Sequence, residues 1–277
     1  MRAALVLLLV ACLWAPAAAA TLAEWRAEAA AIRLLAENDV PAARERARAL
    51  QAGMPADAQP VDRVLAMNLV ARIDTYLGDT DTAAAGAERA IEAARAAGDR
   101  IGEAEGELNM TIIAVNQGRI DRLVQAATQS VSLLQGTDRP DLLAEALLRL
   151  GTMYGRFGQL DDQVAFAVQA MEAAQRETNP LALAYAHQGM AIAFDMTGRS
   201  EEAGQHYDQM LRRAVEGGSH MLEAFGMLGV AGQHRRRQEF DASQRLAQQA
   251  IEIFRQVGSP FAYNFAVFSL ADQHQQR

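Results

Sequence analysis

Between residues 182 and 195 the apolar positions Leu183, Ala186, Met190 and Phe194 recur every three to four residues, and Ala83, Ala87, Ala90, Ile91 and Ala94 do the same upstream. That period puts them on one face of an α-helix; a half-buried strand would alternate every second residue. The helical runs are cut at regular points. Gly78, Gly118, Gly158 and Gly198 stand forty residues apart and open the phrases GDTDTA, GRIDRL, GQLDDQ and GRSEEA. NDVPAA at Asn38 is a weaker version, in which Asn is expected to take the left-handed conformation that Gly takes at a helix end. RQEFDA at Arg237 reads as a further version with one residue deleted.

A second series keeps the same register. Pro60, Pro140, Pro180 and Pro260 differ by multiples of forty, with Asn179 and Ser259 placed as N-caps and Asp138 two residues before Pro140. Proline is tolerated in a first helical turn because its missing N–H would have no helical partner. Gly98, Gly218 and Gly258 form a third series, ending the preceding helices. The marks predict paired helices at 22–37 and 41–53, 61–77 and 81–97, 100–117 and 120–135, 140–157 and 160–177, 180–197 and 200–217, and 219–236 and 239–257, then a final helix at 260–276. The units lie near 22–60, 61–99, 100–139, 140–179, 180–218 and 219–259, with GMPADAQP, Gly53 to Pro60, as the longest interruption. The expected fold is all-α: a right-handed α-solenoid of about six helical hairpins plus a C-terminal helix, in which each hairpin buries its apolar face on its neighbours.

The phrase Leu150-Gly151, Tyr154, Gly158, then Ala167 and Ala170, resembles the tetratricopeptide repeat signature, and Gly198, Ala203 and Tyr207 match it again. The resemblance covers nearly all of the chain after its first twenty residues and is sharpest in the fourth and fifth units. The period departs from the family's usual one; the extra residues amount to about 9 Å of added helix per unit. It implies a long-helix relative in which the exposed face of each unit's first helix lines a ligand groove. Carried over from Gly158, the pattern gives Glu145, Leu148, Thr152 and Arg156 as groove residues. Equivalent steps give Asn68, Arg72 and Tyr76, then Glu105 and Asn116, then Tyr185, Gln188 and Asp195, and finally His234 and Arg235. Mixed polar and aromatic side chains suit a peptide or protein partner. The Lys/Asn/Arg set that clamps peptide carboxylates in chaperone-binding relatives is not visible.

Composition narrows the function. The chain of 277 residues is 51% hydrophobic but only 6% aromatic, with a formal charge of -8 and Arg as its only basic side chain apart from His. An acidic chain with scattered Arg has no basic face for nucleic acid. Arg2, the apolar run Ala3 to Trp14 and the small residues Ala17 to Ala20 read as a secretory signal peptide, residues 1–20, cleaved after Ala20. Leu9-Val10-Ala11-Cys12 resembles a lipobox, so lipid anchoring through Cys12 is the alternative; against it, the preceding peptide is short and the following residues stay apolar. Cleavage at Ala20 removes the only cysteine and leaves a periplasmic chain with no later run long enough to span a membrane.

Candidate chemistry yields no catalytic residue, cofactor or metal site. Gly151, Gly155 and Gly158 follow no strand and precede no Gly-Lys-Ser/Thr, so they read as helix packing and a turn; Gly226, Gly229 and Gly232 read the same way. His187, His206, His220, His234 and His274 form no His-Glu-x-x-His pair. Arg235, Arg236 and Arg237 fall where positive charge complements a helix C-terminus, and Asp161-Asp162 and Glu201-Glu202 where negative charge suits an N-terminus. The leading expectation is an exported, non-enzymatic binding scaffold of unspecified oligomeric state. The alternative is the periplasmic sensor portion of a membrane-bound diguanylate cyclase or histidine kinase. Phe261, Tyr263, Phe265 and Phe268 discriminate, because a true capping helix should not present an apolar outer stripe.

Overall fold

The computed structural model describes residues 20–176 and 179–275, with side chains as far as Phe268. Cys12 and nearly all of the expected signal peptide lie outside the described residues, as do the expected helix ends at 177 and 276.

Among the described residues every regular element is a helix. An inner series comprises α1 (Leu22–Leu35), α3 (Pro60–Tyr76), α5 (Arg100–Asn116), α7 (Pro140–Arg156), α9 (Pro180–Met196), α11 (His220–Arg236) and α13 (Pro260–Gln275). An outer series comprises α2 (Val40–Ala52), α4 (Thr80–Ala97), α6 (Ile120–Leu134), α8 (Leu160–Ala174), α10 (Ser200–Glu216) and α12 (Phe240–Val257). From Pro60 the inner helices start every forty residues without slippage, and from Val40 so do the outer ones. Each helix packs on the one that follows it in the chain, inner on outer and outer on the next inner, which makes an α-solenoid.

One turn geometry explains the register. At Gly78, Gly118, Gly158 and Gly198 the backbone is left-handed, and the next residue's N–H reaches back to close the helix: Asp79 to Asp74, Arg119 to Ala114, Gln159 to Tyr154 and Arg199 to Phe194, all at 2.8–3.0 Å. The sixth unit corrects the sequence reading. No residue is deleted there; Gln238 takes the left-handed position at φ 63°, and Glu239 N–H bonds the His234 carbonyl at 2.9 Å. A glycine signal was absent because a non-glycine residue bears the strain. Asn38 is the opposite correction: Gln238 is the only described non-glycine residue at positive φ. The Asn38 side chain instead donates to the Gly218 carbonyl at 2.8 Å and accepts from His220 N–H at 3.0 Å.

That bond spans the molecule and introduces its main feature. The first and last units meet. Met221 N–H donates to the Glu37 carbonyl at 3.0 Å, and the Ser259 hydroxyl to the Tyr76 carbonyl at 2.9 Å. One apolar core runs through the junction, joining Trp25, Ile32, Leu69, Ile73 and Tyr76 to Met221, Phe254, Val257 and Ala262. The solenoid therefore closes on itself, and the inner faces of its helices turn toward a common centre.

Candidate functional site

Closure decides where the groove residues lie. Asn68, Arg72, Tyr76, Glu105 and Glu145, expected along an open concave face, are buried, with exposures of 0–5%. Leu148 is buried too. Thr152, Tyr185, Gln188, Asp195, His234 and Arg235 are half-buried, and Asn116 and Arg156 are exposed. Six groove residues are thus covered: Tyr76 lies against the closure through Glu37 and Ser259, Glu105 against α1 through Arg33, and Asn68 between α3 and α5. The candidates still open lie mainly near the C-terminal ends of α5, α7, α9 and α11.

The covered residues are bonded in three groups. Arg72 on α3 donates from Nε to Asn109 Oδ1 at 3.0 Å on α5 and from Nη1 to Glu145 Oε2 at 3.2 Å on α7. Arg149 donates to the other Glu145 oxygen at 3.4 Å. Arg33 on α1 pairs with Glu105 on α5. Glu37, in the turn after α1, accepts from the Tyr76 hydroxyl and the Ser219 hydroxyl, each at 3.1 Å. Asn68 donates to the Gly102 carbonyl at 2.8 Å, and Asn109 returns a bond to the Asn68 carbonyl at 3.0 Å. Arg33, Glu37, Asn109 and Arg149 were not sequence candidates. Glu37 meets Ser219 182 residues away, a contact set by superhelical closure that no local motif encodes, whereas Arg149 stands four residues after Glu145, a helical spacing the sequence did offer.

Burial and neighbours push the two central carboxylates apart. Burial raises Glu37, and Arg72 offsets this only in part. Burial would also raise Glu145, but Arg72 and Arg149 together hold it below the ordinary carboxylate range. Opposed shifts of this kind mark acid–base pairs in enzymes. Here both carboxylates are engaged, Glu37 by two hydroxyls and Glu145 by two guanidinium groups. Burial also raises Tyr76 and Tyr185 well above the usual phenol range, so both remain neutral.

Elsewhere, His187 and His206 meet with Nδ1 atoms 2.9 Å apart, a pairing across α9 and α10 that sequence spacing did not show. Among the described residues no group of three or more His, Cys, Asp or Glu side chains is placed to hold a metal ion. Asp195 accepts from Gln233 at 2.9 Å and pairs with Arg236, while His234 pairs with Glu239. A cavity of about 200 Å³ lies between α6, α7 and α8, lined by Gln135, Leu143, Leu147, Gln169, Ala173 and Arg176. No described helix is long and apolar enough to cross a membrane.

The sequence matches no family model and no curated protein. Solved structures do resemble it. NprR in complex with its cognate peptide NprX is 12% identical with a TM-score of 0.61, the alignment covering 90% of this chain and 71% of that one. A Rap protein complexed with competence and sporulation factor is 12% identical with a TM-score of 0.59, covering 86% of this chain and 72% of that one. Aspartyl phosphate phosphatase F from Bacillus subtilis is 10% identical with a TM-score of 0.55, covering 86% and 70%. Likeness at such identity shows the fold: the chain is a tetratricopeptide-like helical repeat protein.

Proposed function

We propose that this chain is an exported, non-enzymatic scaffold that binds a peptide or protein partner on the inner face of its solenoid. The observation that carries the reading is the polar inner face. Beside the buried Asn68, Arg72, Glu105, Asn109 and Glu145, α7 and α9 present Thr152, Arg156, Tyr185 and Gln188 where they are still open. One protein of similar fold is in complex with its cognate peptide, and another with competence and sporulation factor. A phosphatase shares the fold as well, so the non-enzymatic reading rests on the engaged state of Glu37 and Glu145, not on the likeness. Export is supported by the place of the expected cleavage. Thr21 caps α1 in a reciprocal box with Glu24, the Thr21 N–H donating to Glu24 at 2.8 Å, so the first described helix starts directly after the expected cleavage. N-terminal sequencing of the periplasmic protein should read from Thr21; a start at Met1 or Cys12 overturns it.

Binding is tested by selecting from a pool of short random peptides with the full chain, then with the variant Arg156→Glu/Gln188→Trp. Selected peptides should lose most of their affinity for the variant. Unchanged affinity moves the site off the inner face. A second reading, a sensor portion within a membrane-bound cyclase or kinase, draws on α13. Phe265 is 46% and Phe268 75% exposed, an apolar outer stripe unlike a capping face. The reading frame after Arg277 tests it: a stop codon there overturns this alternative.

A further inference from the structure

The outer layer is shortened over α7. From Thr80 onward α4, α10 and α12 run for 17 or 18 residues, but α6 and α8 stop after 15. α6 ends early because Gln135 leaves the helix at ψ 125° and Gly136 turns left-handed at φ 76°. That is two residues before the register position that Gly98 holds after α4. The carbonyls left at this end are not loose. Arg100 donates to those of Ser132 and Gln135 at 3.1 Å each, so the short end is held in place.

Between the two short helices lies the cleft of about 200 Å³, over the first half of α7. Its floor is apolar: Leu143, Leu147 and Ala173, all buried. Its mouth is charged on one side. Glu172 stands in the last turn of α8 and Arg176 just beyond it, both exposed. Among the described residues no ion pair or side-chain hydrogen bond engages either of them. The volume is below the range of roughly 300–1,000 Å³ that drug-sized ligands need, so the occupant is small. An aliphatic floor beneath one anion and one cation, four residues apart, matches a molecule with a short aliphatic group, an ammonium and a carboxylate.

We propose that this cleft binds a free α-amino acid with an aliphatic side chain of leucine's size. The side chain rests on Leu143, Leu147 and Ala173, the ammonium meets Glu172, and the carboxylate takes the guanidinium fork of Arg176. The cleft lies at the opposite end of α7 from Thr152 and Arg156, so this site and the inner-face site stand or fall separately.

The probe is L-leucine, added to the full chain carrying ¹³C-labelled leucine methyl groups and followed by NMR. The methyl signals of Leu143 and Leu147 should shift and saturate. Glycine, which offers no side chain to the floor, should not move them. N-acetyl-leucine and leucinamide each lack one charge and should bind about fivefold more weakly than leucine. In Glu172→Gln the penalty for acetylation should fall below about twofold, and in Arg176→Gln so should the penalty for amidation. Both side chains are exposed, so thermal melting of the variants should match that of the parent. Absence of a saturable shift at Leu143 and Leu147 overturns the site. If glycine binds as well as leucine, or if both neutralised forms do, the occupant is not an aliphatic amino acid. Penalties that persist unchanged in the two variants overturn the roles given to Glu172 and Arg176.

Discussion

The inner helices α3, α5 and α7 keep the same forty-residue register as α9 and α11, yet the two groups are held by different forces. In the first group the contacts are directional. Asn68 and Asn109 tie α3 to α5, Arg72 reaches over α5 to Glu145 on α7, and buried Glu107 accepts from Arg122 at 2.7 Å and from Arg95 at 3.3 Å. In the second group steric contacts stand out, beside the bonds that Asp195 on α9 takes from Gln233 and Arg236 on α11. Gly189 sits 3.7–3.9 Å, measured from an added Cβ, from Leu148 and Ala167, and Gly226 would press the Leu211 backbone at 3.3 Å. Repeat spacing thus fixes where helices lie, while the chemistry at their contacts is free to differ. Charged contacts can be exchanged with a ligand; close-packed glycines can only be filled or left alone.

The sharpest way to break this contrast is to strand a charge. Arg72→Met leaves Glu145 buried with Arg149 as its remaining partner, and should cost about 3–5 kcal/mol of unfolding free energy. Adding Glu145→Leu should recover most of that loss, because well-packed apolar residues often replace a buried pair at little cost. Urea titrations of the single and double variants measure both; a double variant no more stable than the single one would show that the pair is not a unit.

In the steric half the comparable variant is Gly229→Leu. A Cβ at Gly229 would lie 2.1 Å from the Tyr207 ring, and Tyr207 is itself buried between α10 and α11. Overpacking there should cost about 2–3 kcal/mol. Gly151→Leu, whose Cβ would meet Phe166 Cβ at 3.2 Å and the Gln163 carbonyl at 3.4 Å, should fall in the same range or below it. Calorimetric melting separates them, and an unchanged melting temperature for Gly229→Leu would remove the steric account of this half.

The same two kinds of contact explain what the sequence made legible. The left-handed turns announce themselves as glycines at Gly78, Gly118, Gly158 and Gly198, because few other residues adopt that backbone cheaply. Helix starts announce themselves through proline and capping side chains, such as Asn179 accepting from Leu181 N–H at 3.0 Å. Both are local signals. The first unit's closure onto the last depends on small rotations accumulated over every unit, and no residue window records their sum. That is why Arg72 and Glu145 were identified as inward-facing but expected in the open, and why Glu37 went unnoticed. Gln238 shows the remaining limit: a left-handed residue without a glycine looks like a deletion.

The His187–His206 contact sharpens the comparison by pH. It lies in the steric half, between α9 and α10. Burial first, then neighbouring His206, lowers His187 to about 4, and burial lowers His206. Both pKa values fall below the unfolded value near 6.5. Between those limits the unfolded chain binds more protons, so this contact's stability is present above pH about 6.5 and is lost as the pH falls toward about 4. Allowing for partial exposure, the loss is about 1–2 kcal/mol. Melting temperature against pH should be flatter in His187→Gln; parallel profiles for the two proteins would remove His187 from the account.

The smallest expected effect is also the one with opposite sign. Gly226, Gly229 and Gly232 share a three-residue spacing on α11, and the sequence reads all three as close packing. The structure divides them. Gly226 and Gly229 press on α10, but a Cβ at Gly232 would meet only the Arg236 guanidinium, at 3.9 Å. Gly232 lies inside a helix with negative φ, where alanine fits without strain and lowers the entropy of the unfolded chain. Gly232→Ala should therefore stabilise the protein by about 0.5–1 kcal/mol. A rise in melting temperature beside the fall in Gly229→Leu would separate spacing from contact within one helix. A fall in both would mean that α11 packs on its Gly232 side as well.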